Sequence, residues 1–234
     1  MGEQKQDEQA NASWLSCVGL GGFSQAYELS FRALVRPPRA EYDMEELGPT
    51  SFQAQSISCV REDFELQGGR GTLQCSHFRP VNTWQGRPCV VFAHGNASCR
   101  VQALDAARAL LPLGVSVVAP YLSGSGMSDG EFISMGWFEA EDLGTIMDYL
   151  ETRPDVITIG LWGRSMGAAT CVLRAAQDSR RRSVRTGQLL HQRHHHRGGR
   201  LGGALFCFNR GGGWCSAAAV PTLAPRPLPP WLGR

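Results

Sequence analysis

The stretch VITIGLWGRSMGAATCVLRAAQ, residues 156–177, decides the fold of this 234-residue chain. Its first seven residues are mostly apolar, which is typical of a β-strand buried on both faces. Residues 166–176 are rich in Ala, Met and Leu and predict a helix. Between the two, Gly163-Arg164-Ser165-Met166-Gly167 matches Gly-x-Ser-x-Gly, the turn that exposes a serine hydroxyl between a strand and a helix. The pattern predicts that Ser165 is a catalytic nucleophile.

A second match, Gly126-Met127-Ser128-Asp129-Gly130, lies earlier in the chain. The exposed turn needs a buried strand before it, a helix after it and no side chain at its two flanking positions, which accounts for Gly163 and Gly167. Ser128 lacks this setting, because it lies several residues beyond its strand in a polar loop. We therefore interpret Ser128 as a loop serine.

Upstream of this unit, strand and helix patterns alternate. Residues 89–93 and 115–119 are continuous apolar runs, whereas residues 101–113 and 137–150 carry apolar side chains at helical spacing. Strands that alternate with helices through short connections are typical of a parallel sheet covered on both faces. The sequence therefore predicts an α/β fold with a mostly parallel sheet flanked by helices.

Three regions follow from these patterns. Residues 1–50 have a polar start and several Pro and Gly residues, and we expect an irregular N-terminal extension. Residues 51–178 form a partial α/β domain, which opens with an antiparallel hairpin made from the strand-like runs 57–66 and 72–78. Residues 179–234 are a low-complexity tail rich in Arg, Gly and Pro.

The charge of the chain changes sign at the start of the tail. Residues 1–178 hold 13 basic and all 21 acidic residues, a balance of −8, whereas the tail holds ten Arg and no acid. A segment with few apolar runs buries too little surface to offset its ordering entropy. We expect the tail to be disordered or translated out of frame, and we assign no structure to it.

The other groups of the predicted site follow residue 93, where the first parallel strand ends. His94-Gly95-Asn96 lies there, with Gly95 supporting a turn. We expect the backbone N–H groups of Asn96 and Met166 to stabilise the oxyanion that forms when a serine attacks a carbonyl. For His94 we favour a structural role over that of a general base, because residues beside the oxyanion site lie on the wrong side of the serine.

These motifs together resemble the α/β-hydrolase superfamily, in particular its Bem46-like, serine-aminopeptidase-like and protein-depalmitoylase-like members. The resemblance covers residues 41–178 and rests on four segments in the same order and spacing: 94–98, 123–130, 136–143 and 160–168. Pro120 departs from the pattern, since relatives commonly carry an acid near that strand end. The resemblance implies an ester, thioester or amide as substrate, in a small molecule or an acylated protein.

The resemblance also implies a triad in the order Ser, Asp, His, with the acid and the base on loops after later strands. No Asp or Glu follows Asp178, and His191 and residues 194–196 have no strand to carry them to Ser165. We therefore predict a hydrolase truncated after the helix that follows Ser165, and inactive as written. Neither a metal site nor a cofactor is expected.

A function of another class stays open. The basic tail of a non-catalytic interaction protein would bind nucleic acid without sequence specificity, or an anionic membrane. The protein is expected to be cytoplasmic. Peripheral membrane contact through the apolar stretch that starts at Trp14 is a further possibility, especially if Cys17 were acylated. Nothing in the sequence indicates an oligomeric state.

The out-of-frame hypothesis for residues 179–234 is tested by sequencing the transcript across the Asp178 codon. We expect a shift of frame or a splicing error there, because the alternation of strands and helices stops at that point. A continuous frame that encodes this same tail would contradict the hypothesis.

Overall fold

The computed structural model describes residues 20–81, 86–178, 204–209 and 213–215. The chain divides into two compact units, residues 1–38 and residues 39–234. The described part of the first unit is mainly helix α1, Leu20–Val35. The second unit contains the sheet, the other helices and both Gly-x-Ser-x-Gly segments.

Helix α1 differs from the irregular structure expected for the extension. Apolar residues at 20, 23, 27, 31 and 34 recur at the spacing of one helix face, a signal that the Gly and Pro content obscured. The rings of Tyr27 and Phe31, one turn apart, stack with centroids 6.4 Å apart. Glu28 and Arg32 form an ion pair at 3.5 Å, also one turn apart.

The boundary of the extension also differs from the prediction, because residues 39–50 belong to the larger unit. A short 3₁₀ helix, Met44–Leu47, begins after Asp43, whose side chain accepts a hydrogen bond from the N–H of Glu45. Leu47 is 1% exposed and packs in the core of the larger unit. The acidic patch around residue 45 is therefore part of the folded domain.

Eight strands of the described residues form one mixed sheet in the order β1-β2-β3-β5-β4-β6-β7-β8. Their bounds are β1 Ser51–Ala54, β2 Ile57–Gly68, β3 Gly71–Pro80, β4 Arg87–Ala93, β5 Ser116–Pro120, β6 Val156–Gly163, β7 Ala204–Asn209 and β8 Gly213–Cys215. The three central strands β5, β4 and β6 are parallel, and all other neighbours pair antiparallel. The carboxyl ends of β4, β5 and β6 therefore meet at one edge of the sheet, called here the carboxyl edge.

Helices cover both faces of the central strands. They are α2 Ala103–Leu110, α3 Trp137–Thr152 and α4 Met166–Gln177, with short 3₁₀ turns at Arg100–Gln102 and Leu111–Leu113 on either side of α2. Alternate residues of β4 point to opposite faces: Val91 packs with α3 and α4, whereas Phe92 packs with α2. This double burial explains why the central strands are continuous apolar runs.

The predicted α/β class is confirmed, and so are the hairpin at β2 and β3 and the alternation of strands and helices up to residue 177. The first predicted helix is shorter than expected. Its α-helical part covers Ala103–Leu110, and Gly114 ends the segment with a φ of 78°, a left-handed conformation that suits glycine. Among the described residues, no helix is long and apolar enough to cross a membrane.

Two strands lie in the tail to which the sequence assigned no structure. Strand β7 pairs antiparallel with β6, from Ala204 opposite Gly163 to Asn209 opposite Thr158, and β8 pairs with β7. The run Ala204-Leu205-Phe206-Cys207-Phe208 is apolar enough to continue a buried sheet. These two segments are strands where the sequence assigned no structure. Residues 179–203, 210–212 and 216–234 lie outside the described residues, and the disorder of the tail stays a prediction.

Two positions on β6 test the two-sided core. Leu161 is fully buried between β6 and the α3–α4 layer, whereas Ile157 on the same strand is 45% exposed. We expect Leu161→Ala to lower the free energy of unfolding by about 2–5 kcal/mol, because it leaves a cavity in a close-packed interior. Ile157→Ala, the matched control, should change it by less than about 1 kcal/mol. Guanidinium denaturation curves that give equal losses for both variants would contradict this packing.

Candidate active site

Ser165 lies in a strained turn between β6 and α4. Its backbone has φ 53° and ψ −119°, a conformation that non-glycine residues rarely adopt, and its side chain is exposed. The N–H groups of Ala168 and Ala169 both donate to the carbonyl of Ser165, so the helix begins directly behind it. Strain of this kind persists only where surrounding structure imposes it, and it is concentrated at functional sites.

Backbone atoms of neighbouring residues impose this turn. A Cβ at Gly167 would lie 2.0 Å from the carbonyl oxygen of Ala93 at the end of β4, and a Cβ at Gly163 would lie 2.1 Å from the carbonyl oxygen of Gly167. The N–H of Arg164 donates to the same carbonyl of Ala93 at 3.1 Å. The first turn of α4 is therefore pressed against the end of β4, and only glycine fits at both flanking positions.

The turn after β4 lies beside the serine. A Cβ at Gly95 would be 3.7 Å from the Cβ of Ser165, which places the two backbones side by side. The N–H of Gly95 donates to Oε1 of Gln102 at 3.1 Å. Gln102 therefore holds this turn in place, a role that no sequence signal indicated.

His94 is a structural residue, as the sequence favoured. Its Nε2 accepts from the N–H of Leu122 at 3.2 Å, so Nδ1 carries the proton and donates to the carbonyl of Gly95 at 2.8 Å. The side chain is fully buried, and burial lowers the pKa of His94 from its ordinary value. A neutral imidazole with both nitrogens engaged cannot accept a proton from Ser165.

The serine of the second Gly-x-Ser-x-Gly match has a structural role too. Ser128 is buried, and its hydroxyl donates to the carbonyl of Tyr121 at 2.9 Å and accepts from the N–H of Gln74 at 2.8 Å. Its oxygen therefore joins the loop after β5 to strand β3. The choice of Ser165 over Ser128, which the sequence made from context alone, agrees with these contacts.

The two predicted oxyanion donors belong to the two neighbouring turns that follow β4 and β6. Met166 is the first residue of α4, and an N–H in the first turn of a helix has no partner within that helix. Asn96 follows Gly95 and is half-buried, and its Oδ1 accepts from the N–H of Ala97, which has a φ of 51°. Ser165 and Ala97 are therefore two strained positions in neighbouring turns. The roles of Asn96 and Met166 remain predictions.

The histidines of the described residues supply no general base. His77 lies on β3, which two strands separate from β6, and burial lowers its pKa to about 4. Its Nε2 lies 4.0 Å from Sγ of Cys89 inside the core. His94 is excluded by its hydrogen bonds. His191 and residues 194–196 lie outside the described residues, and the absence of a triad histidine stays a prediction.

Two buried carboxylates organise the loop that joins β5 to α3. Asp142 accepts from the N–H of Ser123 at 2.7 Å and from its hydroxyl at 2.9 Å, while burial raises the pKa of Asp142. Glu139, also buried, accepts from the N–H groups of Ser134 and Gly136 at 2.8 and 2.7 Å. Both carboxylates are on α3, and they hold the two ends of the loop against the carboxyl edge.

Arg39 holds the same loop from its exposed side. Its guanidinium donates to the carbonyl oxygens of Gly126, Ser128 and Gly130 at 2.6–2.7 Å. The sequence placed Arg39 in the irregular extension and missed this contact, since the three carbonyls lie about 90 residues further along the chain. Among the described residues, no cluster of three His, Cys, Asp or Glu side chains that could hold a metal ion is present.

Comparison with known proteins finds similarity to solved hydrolase structures. A member of the α/β serine hydrolases without a lid from Xanthomonas campestris is 26% identical, with a TM-score of 0.44 over 50% of this chain and 56% of that one. A serine hydrolase homologue from Coxiella burnetii is 28% identical, with a TM-score of 0.42 over 50% and 58%. An esterase from Pyrococcus furiosus is 23% identical, with a TM-score of 0.47 over 61% and 53%. The chain thus spans little more than half of each solved chain. No protein-family profile matches it.

The geometry defines the class of protein. The parallel strands β5, β4 and β6 with helices on both faces, and a strained serine between β6 and α4 at the carboxyl edge, are the features of an α/β hydrolase. About half of the chain is similar to solved α/β serine hydrolases, and the chain has the architecture of an α/β-hydrolase fold. It contains the part of that fold that carries the serine.

Gly167 and Gly95 form a matched pair for testing the turn. We expect Gly167→Ala to lower the free energy of unfolding by at least about 3 kcal/mol, because its Cβ would collide with two backbone carbonyls that cannot move aside. Gly95→Ala should be tolerated within about 1 kcal/mol, since its nearest neighbour would be at 3.5 Å, an ordinary contact. Urea unfolding followed by far-UV circular dichroism measures both, and a stable Gly167→Ala variant would rule out the close approach of α4 to β4.

Proposed function

We propose that this chain is the nucleophile-bearing part of a serine hydrolase that acts on an ester, a thioester or an amide. The single observation that supports this most strongly is the backbone of Ser165, an exposed serine at a φ of 53° between a buried strand and a helix. A structural serine would not require so unfavourable a conformation. The substrate is a small molecule or an acylated protein.

The proposed reaction begins with the serine. The hydroxyl oxygen of Ser165 attacks the carbonyl carbon of the substrate, and the hydroxyl proton leaves to a base as the new C–O bond forms. The N–H groups of Met166 and Asn96 stabilise the negative charge on the carbonyl oxygen. The tetrahedral intermediate then expels the alcohol, thiol or amine, which takes up a proton, and water releases the acyl group from Ser165.

The step with no identified residue in this chain is the transfer of the Ser165 hydroxyl proton to a base. Neither His77 nor His94 accepts the proton of Ser165, and no acid follows Asp178 to orient another histidine. Serine hydrolases without their triad retain only the catalysis that comes from substrate binding and the oxyanion donors, about 10³–10⁴-fold over water. The chain should therefore bind a carbonyl substrate at Ser165 and turn it over very slowly.

A fluorophosphonate probe tests both parts of the proposal. We expect the full chain to be labelled at Ser165, but about 10³-fold or more slowly than a serine hydrolase with a complete triad. Free imidazole added to the solution should accelerate the labelling, because it supplies the missing base to an exposed hydroxyl. Mass spectrometry of the labelled peptides measures the rate at each serine.

Two controls make the result decisive. Ser165→Ala should abolish both the slow and the imidazole-dependent labelling, and the peptide that contains the buried Ser128 should carry no adduct. Labelling at Ser128 rather than at Ser165 would refute the assignment of the nucleophile. Fast labelling of Ser165 without imidazole would instead show that a base is present, and the argument for an incomplete triad would be wrong.

A further inference from the structure

Five large apolar side chains are exposed on the segment that joins β5 to α3 and on the first turn of α3, and we call them the apolar rim. They are Met127, Phe132, Met135, Trp137 and Phe138, with exposed fractions between 37% and 61%. Soluble proteins rarely gather so many apolar side chains on one short exposed segment without a binding role. The proposed reaction does not use any of them.

The rim lies at the same edge of the sheet as Ser165. Its segment leaves the carboxyl end of β5, while the serine follows the carboxyl end of β6. The end of the segment packs on α4, where a Cβ at Gly136 would be 3.4 Å from the backbone nitrogen of Thr170 and 3.1 Å from the side chain of Leu173. Thr170 is five residues after Ser165, a rise of roughly 7 Å along the helix. Met135 and Trp137 flank Gly136, so both begin close to the serine.

The part of the rim nearest the serine is held rigidly. Met135 has a φ of 58°, one of four such non-glycine residues in the described part of the chain. The buried carboxylate of Glu139 secures this turn by accepting from the N–H groups of Ser134 and Gly136 and from the Ser134 hydroxyl at 2.5 Å. The strain and the three hydrogen bonds together keep the methionine and Trp137 exposed at a defined place.

The chemistry of the rim favours an uncharged, flexible chain. Methionine side chains adapt to ligands of varied shape, and aromatic rings supply rigid apolar area. The guanidinium of Arg70 lies 3.5 Å from the ring centroid of Phe138 and pairs with Glu141 at 2.8 Å, which closes the rim on one side. Exposed acids at residues 129 and 131 lie along the same segment and disfavour an anionic membrane surface.

We propose that the apolar rim binds the acyl chain of the substrate whose carbonyl Ser165 attacks, and that Met135 and Trp137 are its first contacts. The inference rests on the proposed function, because it identifies the substrate class of that same serine. A carbonyl held at Ser165 places the first carbons of its chain beside α4, and the rim continues from there. Substrates with long unbranched acyl chains are therefore preferred over short ones.

Two fluorophosphonates that differ only in alkyl length, butyl and dodecyl, test the preference. In the full chain with imidazole present, we expect the dodecyl probe to label Ser165 on the order of 10-fold faster, because each methylene removed from water contributes to binding. Trp137→Gln and Met135→Ser should each reduce this ratio toward one, because each removes apolar area that the longer chain contacts. Leu113→Ser is the matched control, since Leu113 is 70% exposed before the amino end of β5 and should leave the ratio unchanged.

A second measurement does not depend on the reactivity of Ser165. In a Ser165→Ala chain, 12-bromododecanoic acid should quench the tryptophan fluorescence, and Trp137→Phe should remove most of that quenching, whereas 4-bromobutyric acid should have little effect at the same concentration. If neither probe labels Ser165 but this chain-length-dependent quenching is present, the proposed function fails and the rim still binds acyl chains.

Other outcomes overturn the inference. Equal labelling by both probes in the wild-type chain, with Ser165 reactive, would leave the proposed function intact and refute the acyl site. A labelling ratio unaffected by Trp137→Gln and Met135→Ser would place the acyl chain elsewhere. Binding of phosphatidylcholine vesicles that depends on Trp137, with equal labelling rates, would identify a bilayer as the occupant of the rim and also refute it.

Discussion

The close approach of helix α4 to the end of strand β4 is the constraint on which the rest of the structure depends. The carbonyl oxygen of Ala93 accepts a hydrogen bond from the N–H of Arg164. The same oxygen occupies the space that a side chain at residue 167 would need. Because the helix begins there without a spacer, the residue before it is forced into a left-handed conformation. The serine hydroxyl is therefore exposed, and the turn after β4 lies beside it.

The carboxyl edge of the sheet is built from hydrogen bonds between its loops and the side chains of a few residues. Asp142 and Glu139 accept backbone N–H groups of the loop after β5, Arg39 donates to three of its carbonyls, and Gln102 accepts from Gly95. Buried carboxylates are costly unless their oxygens are satisfied, and here each one accepts at least two hydrogen bonds. The resulting loops are rigid enough to support strain at both Met135 and Ala97.

The described part of this chain holds a strained, exposed serine, and neither of its two histidines, His77 and His94, is placed to act as a base for it. The first strand described after α4 is β7. Strand β7 runs antiparallel to β6, so its last residue, Asn209, lies opposite Thr158 and away from the edge that carries Ser165. A parallel strand in this position would have ended at the carboxyl edge, where the loop after it could reach the serine. Strand β7 instead ends at the opposite edge, where β6 begins.

The sequence alone determined the elements from residue 57 to residue 177 and the choice between two serines. Apolar periodicity distinguishes a doubly buried strand from a helix, and two glycines around Ser165 signal a turn with no room for side chains. Tertiary structure decided what no local pattern encodes: the pairing of β7 with β6, and the partners of Arg39 and Asp142. Periodicity reports which side of an element is buried. A hydrogen bond between distant residues depends on how the elements pack, which only the folded chain specifies.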